Sequence, residues 1–276
     1  VHFINATAEA ALKLQEGINK PPQTGEKTLA EEINTLLDAA RCTKPITTDP
    51  NDPTCIAVGT KAKTTACTTA SAGTSLALDL ACLCAVGHAQ DSCAQSGNIE
   101  AQVLNTDNFA ATALQAIEKQ CPTTLGDMDL DSTITQTLAG LEFALKQPGA
   151  GQKKFFLGAT HNTNACDETN AACVEYTAKL TANTKGLEEI PWVRKLTQAR
   201  TKYRQYKNEL NKKEAMKEAI KRLLHDALTE YHKPNEPSNN KGTTIPAAAA
   251  AAQKTNTETE EKCNKKGQND CNSPCK

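Results

Sequence analysis

Aromatic side chains are scarce in this 276-residue chain: one Trp, four Tyr and five Phe, 4% of the total. Alanine, threonine, leucine and lysine dominate instead, a composition that suits helices packed through small and aliphatic side chains better than a sandwich of short strands. Nowhere do about 20 apolar residues run together, so the sequence offers no membrane-crossing helix. Val1-His2-Phe3-Ile4 is too short an apolar run, with no basic segment ahead of it, to read as a secretory signal. The formal net charge of −1 lacks the single-sign field that marks binders of nucleic acid, so no nucleic-acid partner is expected. Catalytic signatures are also missing: there is no G-x-S-x-G, no H-E-x-x-H and no deaminase motif. His2, His88, His161, His225 and His232 are scattered without evident acid–base partners.

What the chain has is cysteine. Twelve of them at irregular spacing, together with the sequon Asn5-Ala6-Thr7, argue for an oxidising, secretory route and for disulfides. Nine fall in the first part of the chain: Cys42, Cys55, Cys67, Cys82, Cys84, Cys93, Cys121, Cys166 and Cys173. Nine is odd, so one bond is expected to cross to the tail, to another chain, or to a partner upstream of Val1. Cys166 and Cys173, seven apart in a polar segment, form a plausible local pair; the other connectivities stay open. The remaining three, Cys263, Cys271 and Cys275, crowd the tail and read as the start of a second, disulfide-stapled module that is expected to continue past Lys276.

Hydrophobic periodicity is strongest late in the chain. Trp192, Leu196, Ala199, Tyr203, Tyr206 and Leu210 alternate steps of four and three, and the register continues through Ile220, Leu224, Ala227 and Tyr231, interrupted by Lys213 and Lys217. A 3.5-residue repeat over about 40 residues predicts a coiled-coil helix roughly 60 Å long over 191–232. Pro191 suits its first turn, and Lys233-Pro234 stops it. Its basic excess between Arg194 and Arg222 reads as a solvated face laced by Glu209–Lys213 and Glu218–Arg222 pairs rather than as a polyanion site. Shorter helices are predicted over 8–18, 29–40 and 99–119, and around Ile134, Leu138, Leu141 and Leu145, with turns at Pro21-Pro22 and Pro148–Gly151. Residues 42–75 and 158–170 read as irregular surface. By composition, 233–261 is a flexible linker between a body, 1–232, and the tail module, 262–276.

Three constellations hint at chemistry. Cys82-Leu83-Cys84 with His88 and Cys93 offers four zinc ligands, but C-x-C fits structural zinc spacing poorly, and the alternative is two disulfides leaving the segment in different directions. Asp127-Met128-Asp129-Leu130-Asp131 opens like a calcium loop yet lacks its glycine and distant glutamate, so a carboxylate-rich helix N-terminus explains it better. Gly149-Ala150-Gly151-Gln152-Lys153-Lys154 lacks the spacing of a phosphate loop. No catalytic, cofactor-binding or metal site is expected.

The pattern resembles a trypanosome variant surface glycoprotein. The likeness is carried by the heptad helix 191–232, Cys82-Leu83-Cys84 in its alanine-rich setting, Phe155-Phe156-Leu157-Gly158 leading into the loop with Cys166, and the tail from Cys263 through Asn272-Ser273-Pro274-Cys275-Lys276. The resemblance implies a mainly α, elongated N-terminal domain of the B-type class on two long antiparallel coiled-coil helices, with disulfide-tied loops and minor β. It further implies a homodimer or homotrimer on the extracellular face of the plasma membrane, held by a C-terminal lipid (GPI) anchor, shielding the cell and varied antigenically before host antibodies. Sugars on Asn5, and on Ser71, Thr74 or Ser75, belong to the same expectation. Two competing readings are a receptor or host-factor binder of the same architecture and a secreted metal-dependent enzyme using Cys82, Cys84, His88 and Cys93. Titrating free thiols in denaturant alongside metal analysis separates the last from the others: absence of both metal and free thiols removes the enzyme.

Overall fold

A computed structural model describes residues 2–42, 62–68, 71–84, 93, 104–105, 108–110, 113–120, 129–145, 154–160, 166–168, 170–180 and 186–233. The linker from 234, the tail module 262–276, the turn at Pro148–Gly151, and Cys55, His88, Cys121, Cys263, Cys271 and Cys275 lie outside these residues. The chain divides into two units, Lys20–Glu214 and Val1–Asn19 with Ala215–Lys276.

Helix dominates, as composition predicts. In the larger unit, a hairpin of β1 (Gln23–Thr24) and β2 (Lys27–Thr28) leads straight into α2 (Leu29–Arg41). Thr28 starts this helix with a capping box: its hydroxyl accepts from the Glu31 N–H at 3.2 Å, while Glu31 Oε2 accepts from the Thr28 N–H at 2.9 Å. Those hydrogen bonds from Thr28 hold the Glu31 carboxyl below its ordinary range. The short α3 (Lys63–Ala66) and the apolar α4 (Leu76–Cys84) follow. α3 falls inside the stretch 42–75 that reads from sequence as irregular.

Among the described residues of the predicted helix over 99–119, the middle is strand and the end is helix. β3 (Leu104–Asn105) pairs antiparallel with β4 (Asn108–Phe109), and α5 (Ala113–Glu118) is helical. The run Asn105-Thr106-Asp107-Asn108 consists of turn formers that compete with helical hydrogen bonds, and burial of Phe109 at 4% exposure favours the strand. α6 (Leu130–Ala144) begins where the carboxylate-rich segment predicts: Asp129 is its N-cap and accepts from the Ser132 N–H at 3.2 Å. β5 (Phe156–Ala159) then pairs antiparallel with β6 (Ala172–Glu175), so Gly158 and Ala159 of the supposedly irregular 158–170 stretch are strand. α7 (Thr177–Leu180) and a 3-10 turn (Gly186–Glu189) lead to α8 (Pro191–Tyr231), 41 residues long. Pro191 occupies its first helical position, and Ile190 O accepts the first helical bond from Arg194 N–H.

α4 is apolar on almost every side because it is surrounded. Ala77, Leu78, Ala81 and Cys82 pack with Phe109, Ile117, Leu141, Val174, Ile190 and Trp192 into one core.

In the smaller unit, α1 (His2–Asn19) covers one stripe, Ile4, Thr7, Ala11, Leu14 and Ile18, at heptad spacing. Gly17 lies against Met216: a Cβ there would stand 3.1 Å from the sulfur. On α8 the covered stripe of this unit is Met216, Ile220, Leu223 and Ala227. This corrects the register read from sequence. Ile220 and Ala227 keep their seam positions, but Leu210, Leu224 and Tyr231 are 39%, 60% and 72% exposed. Lys213, which reads as an interruption, is half-buried and its ammonium donates to the Lys20 carbonyl. α8 therefore carries two apolar stripes, and choosing apolar residues alone merges them.

Gly158 supplies the sharpest test of the β5–β6 hairpin. Its φ is +98°, and a Cβ would stand 2.0 Å from the Ala172 carbonyl oxygen and 2.7 Å from Leu83 Cδ2. Gly158→Ala is expected to destabilise the fold by about 3 kcal/mol, strain and overpacking combined. Gly140→Ala, on an open face of α6, should instead be neutral or stabilising by about 0.5–1 kcal/mol; chemical denaturation of both variants checks the contrast.

Candidate functional site

Asp79 is the one charged residue in α4, whose sequence is Leu-Ala-Leu-Asp-Leu-Ala-Cys-Leu-Cys. It is 2% exposed, and a carboxylate that deep must find donors or shed its charge. It finds three. Oδ1 accepts from the Gly73 N–H at 2.9 Å, while Oδ2 accepts from the Tyr176 hydroxyl at 2.7 Å and from the Trp192 indole N–H at 2.7 Å. The donors come from the turn before α4, the end of the β5–β6 hairpin and the first turn of α8, so one side chain fastens three segments to the helix it sits on.

The surroundings are shaped for this. Gly73 has φ +77°, and a Cβ would stand 2.9 Å from Ile190 Cγ2. Ser75, fully buried, caps α4 by accepting from the Leu78 N–H at 3.2 Å. Burial raises the Asp79 carboxyl from its ordinary 3.8 to about 6, against the lowering effect of its three hydrogen bonds. Burial, then the Asp79 charge, pushes the Tyr176 phenol well above its ordinary value. A carboxylate beside a phenol is acid–base chemistry when a substrate can reach it. With Tyr176 at 0% and Trp192 at 3% exposure, what this group does is fasten.

Three disulfides frame it: Cys67–Cys82 ties the end of α3 to α4, Cys84–Cys93 leaves the end of α4, and Cys166–Cys173 closes the approach to β6. Cys42 is disulfide-bonded as well. The zinc reading of Cys82, Cys84, His88 and Cys93 falls here, because three of the four ligands are spent in disulfides and a disulfide sulfur is no thiolate ligand. The C-x-C spacing instead sends two bridges in different directions from one helix. Beneath the hairpin, buried Lys63 donates its ammonium to the Ala171 carbonyl, and burial lowers its pKa to about 8.

The family model VSG_B, trypanosomal VSG domain, matches residues 2–222. The chain belongs to the trypanosomal VSG domain family. It is 34% identical over 232 residues to variant surface glycoprotein ILTAT 1.21 of Trypanosoma brucei brucei, covering 84% of this chain and 49% of that protein. It is 26% identical over 282 aligned residues to variant surface glycoprotein WRATAT A of Trypanosoma brucei rhodesiense, covering 99% of this chain and 59% of that protein. The chain thus spans about half to three-fifths of the length of these relatives.

In this VSG domain the basic flank of α8 is engaged by carboxylates of the same unit. Lys202 pairs with Glu32 of α2 at 2.6 Å, Arg204 with Asp131 of α6 at 2.9 Å, and Lys207 lies 3.8 Å from Asp129. The Tyr203 hydroxyl also donates to Asp129 at 3.2 Å. Glu32 is held below its ordinary range chiefly by its hydrogen bond from Lys202, and Asp129 chiefly by the Ser132 N–H. Intrahelical pairs form at a spacing of three, Glu209–Lys212 and Glu218–Lys221, rather than at the predicted four. Lys213 turns to the Lys20 carbonyl instead.

The glycan candidates are placed unequally. Asn5 is exposed on α1, while Thr7 of its sequon is buried and donates to the Phe3 carbonyl at 2.9 Å. Ser75 is fully buried and its hydroxyl caps α4, so a sugar does not fit there in the folded domain; Ser71 and Thr74 keep partial exposure. The Asp79 centre is what sequence reasoning missed. Its signal was a lone aspartate among eight apolar residues and a single tryptophan in the chain.

Removing the carboxylate leaves three donors facing a sealed core. Asp79→Ala is expected to cost about 3 kcal/mol or more in urea denaturation, whereas Asp131→Ala, which breaks a partly exposed ion pair, should cost under about 1 kcal/mol and less at high salt.

Proposed function

We propose that this chain is the N-terminal part of a trypanosome surface coat glycoprotein that shields the parasite membrane and is exchanged antigenically for immune evasion. The observation that carries the reading is the VSG family match over residues 2–222, supported by longer relatives that are themselves named variant surface glycoproteins. The work is mechanical and non-catalytic. Disulfides at Cys67–Cys82, Cys84–Cys93 and Cys166–Cys173 keep the loops that join short elements intact outside the cell, where host antibodies meet them. Attachment to the extracellular face of the plasma membrane comes through a C-terminal lipid anchor, with 233–261 as a flexible linker and 262–276 opening a second module whose Cys263, Cys271 and Cys275 form disulfides.

Self-association belongs to the same proposal. Leu224, Leu228 and Tyr231 of α8 are 60%, 49% and 72% exposed, and Leu12 of α1, in the same unit, is 59% exposed. Further copies of the chain that cover them make a homodimer or, with a third, a homotrimer.

Surface labelling of living parasites with quantitation tests the coat reading: this chain's protein should make up most of the accessible surface protein of the cells that express it, and antibodies to its folded domain should coat them. A sparse, locally confined signal would favour a receptor of the same architecture. Replacing Leu224 and Tyr231 together by Asp should shift the sedimentation coefficient of the purified protein to that of a monomer while leaving its helical circular dichroism unchanged.

A further inference from the structure

We propose that the Asp79–Tyr176–Trp192 cluster is an acid-strengthened fastening: in acidic surroundings the Asp79 carboxyl binds a proton and donates it to the Tyr176 oxygen, so α4, the hairpin and α8 stay hydrogen-bonded while the buried charge disappears. The geometry sets the roles. The Gly73 and Trp192 N–H groups can only donate, whereas the phenol oxygen can donate or accept. At neutral pH three donors converge on one carboxylate and a net charge is buried with them. On protonation, the Tyr176–Asp79 hydrogen bond reverses direction and the two N–H bonds remain. The Tyr176 O–H proton gives up its partner, which offsets part of what is gained when the net charge leaves the sealed core.

The charged groups around the cluster leave that charge weakly compensated. The Ser71–Ser75 turn has no titratable group, and the first turn of α8 has none before the exposed Arg194. α4 otherwise has only Cys82 and Cys84, both in disulfides. α3 contributes Lys63, which donates to Ala171. The 3-10 turn contributes Glu188 and Glu189, the hairpin and α7 contribute Glu175, Tyr176 and Lys179, and the helices packed on α4 contribute Glu31, Glu32, Asp38 and Arg41 of α2 and Glu118 of α5. Among these, Lys179 acts on Asp79 through its charge without touching it, and Tyr176 touches it.

The sign follows from burial raising the folded carboxyl from 3.8 to about 6. The added stability is complete below the unfolded value and is lost as pH rises through about 6. Glu32 and Asp129 are shifted downward, so their pairs weaken below the ordinary carboxylate range and do not disturb the interval from pH 5 to 7.5.

The unfolding equilibrium of the full chain, measured at pH 5 and 7.5, tests the proposal. Wild type should favour the folded state roughly tenfold more at pH 5 than at 7.5 through this group, after the background from the rest of the chain is subtracted with Asp79→Asn, which should lose that gain. Tyr176→Phe should enlarge it, because that variant loses a donor to the ionised carboxylate, worth more than the acceptor lost by the protonated one. A Tyr176→Phe protein that loses the acid gain, or a wild type that matches Asp79→Asn at both pH values, overturns the proposal. Should Tyr176→Phe fail to fold, carbon-13 NMR of the wild-type Asp79 carboxyl decides: a midpoint near 6 with the Trp192 indole N–H signal retained supports it, and a midpoint in the ordinary range or loss of that signal on protonation overturns it.

Discussion

A buried carboxylate with three donors organises the larger unit of this VSG domain. Asp79 accepts from Gly73, Tyr176 and Trp192, which lie up to 113 residues away along the chain. None of the three segments fastened there to α8 is long enough on its own to form a stable core: the turn Ser71–Ser75 is five residues, α4 nine, the hairpin strands four each. Hydrophobic packing brings them together without direction, since Ala77, Leu78, Val174 and Ile190 tolerate small rotations. Three hydrogen bonds to one buried charge do not, and they set which face of α8 meets α4.

Other features follow from that requirement. Gly73 must be glycine-like in φ for its N–H to reach Oδ1, and Gly158 must be bare for the Ala172 carbonyl to pass and place Tyr176 four residues on. Cys67–Cys82 locks α4 one turn beyond Asp79, and Cys166–Cys173 locks the hairpin three residues before Tyr176. The covalent bridges therefore flank the polar one. Farther along α8, the pairs Lys202–Glu32 and Arg204–Asp131 are partly exposed and contribute alignment more than stability.

Much of this was legible in the sequence where the signal is local. Pro191 marks the start of α8, Asp129 caps α6, the helix of residues 29–40 appears one residue longer, and that of 8–18 appears but starts six residues earlier, at His2. Period and capping are properties of neighbouring residues, so they survive without knowledge of the fold. Three things were not legible. The helix over 99–119 held at Ala113–Glu118 and failed at 104–109, because Asn105 and Asn108 prefer a turn and tertiary burial of Phe109 rewards a strand. The register of α8 failed at Leu210, Leu224 and Tyr231 because a helix with two apolar stripes shows one blended pattern, and only a packed neighbour tells them apart. The Asp79 centre was hidden because its members are dispersed over more than a hundred residues, although an aspartate inside Leu-Ala-Leu-Asp-Leu-Ala announces that some partner must exist.

The coat reading and the core are linked through one demand: a protein that works by standing between a membrane and antibodies must keep its loops in place without catalytic or ligand-binding help. A sealed polar fastening flanked by disulfides meets that demand. The most direct measurement is a double-mutant cycle between Asp79→Asn and Trp192→Phe in urea denaturation at neutral pH. The account predicts a coupling energy of about 1.5 kcal/mol or more between the two sites. Additive effects, with coupling near zero, would contradict it.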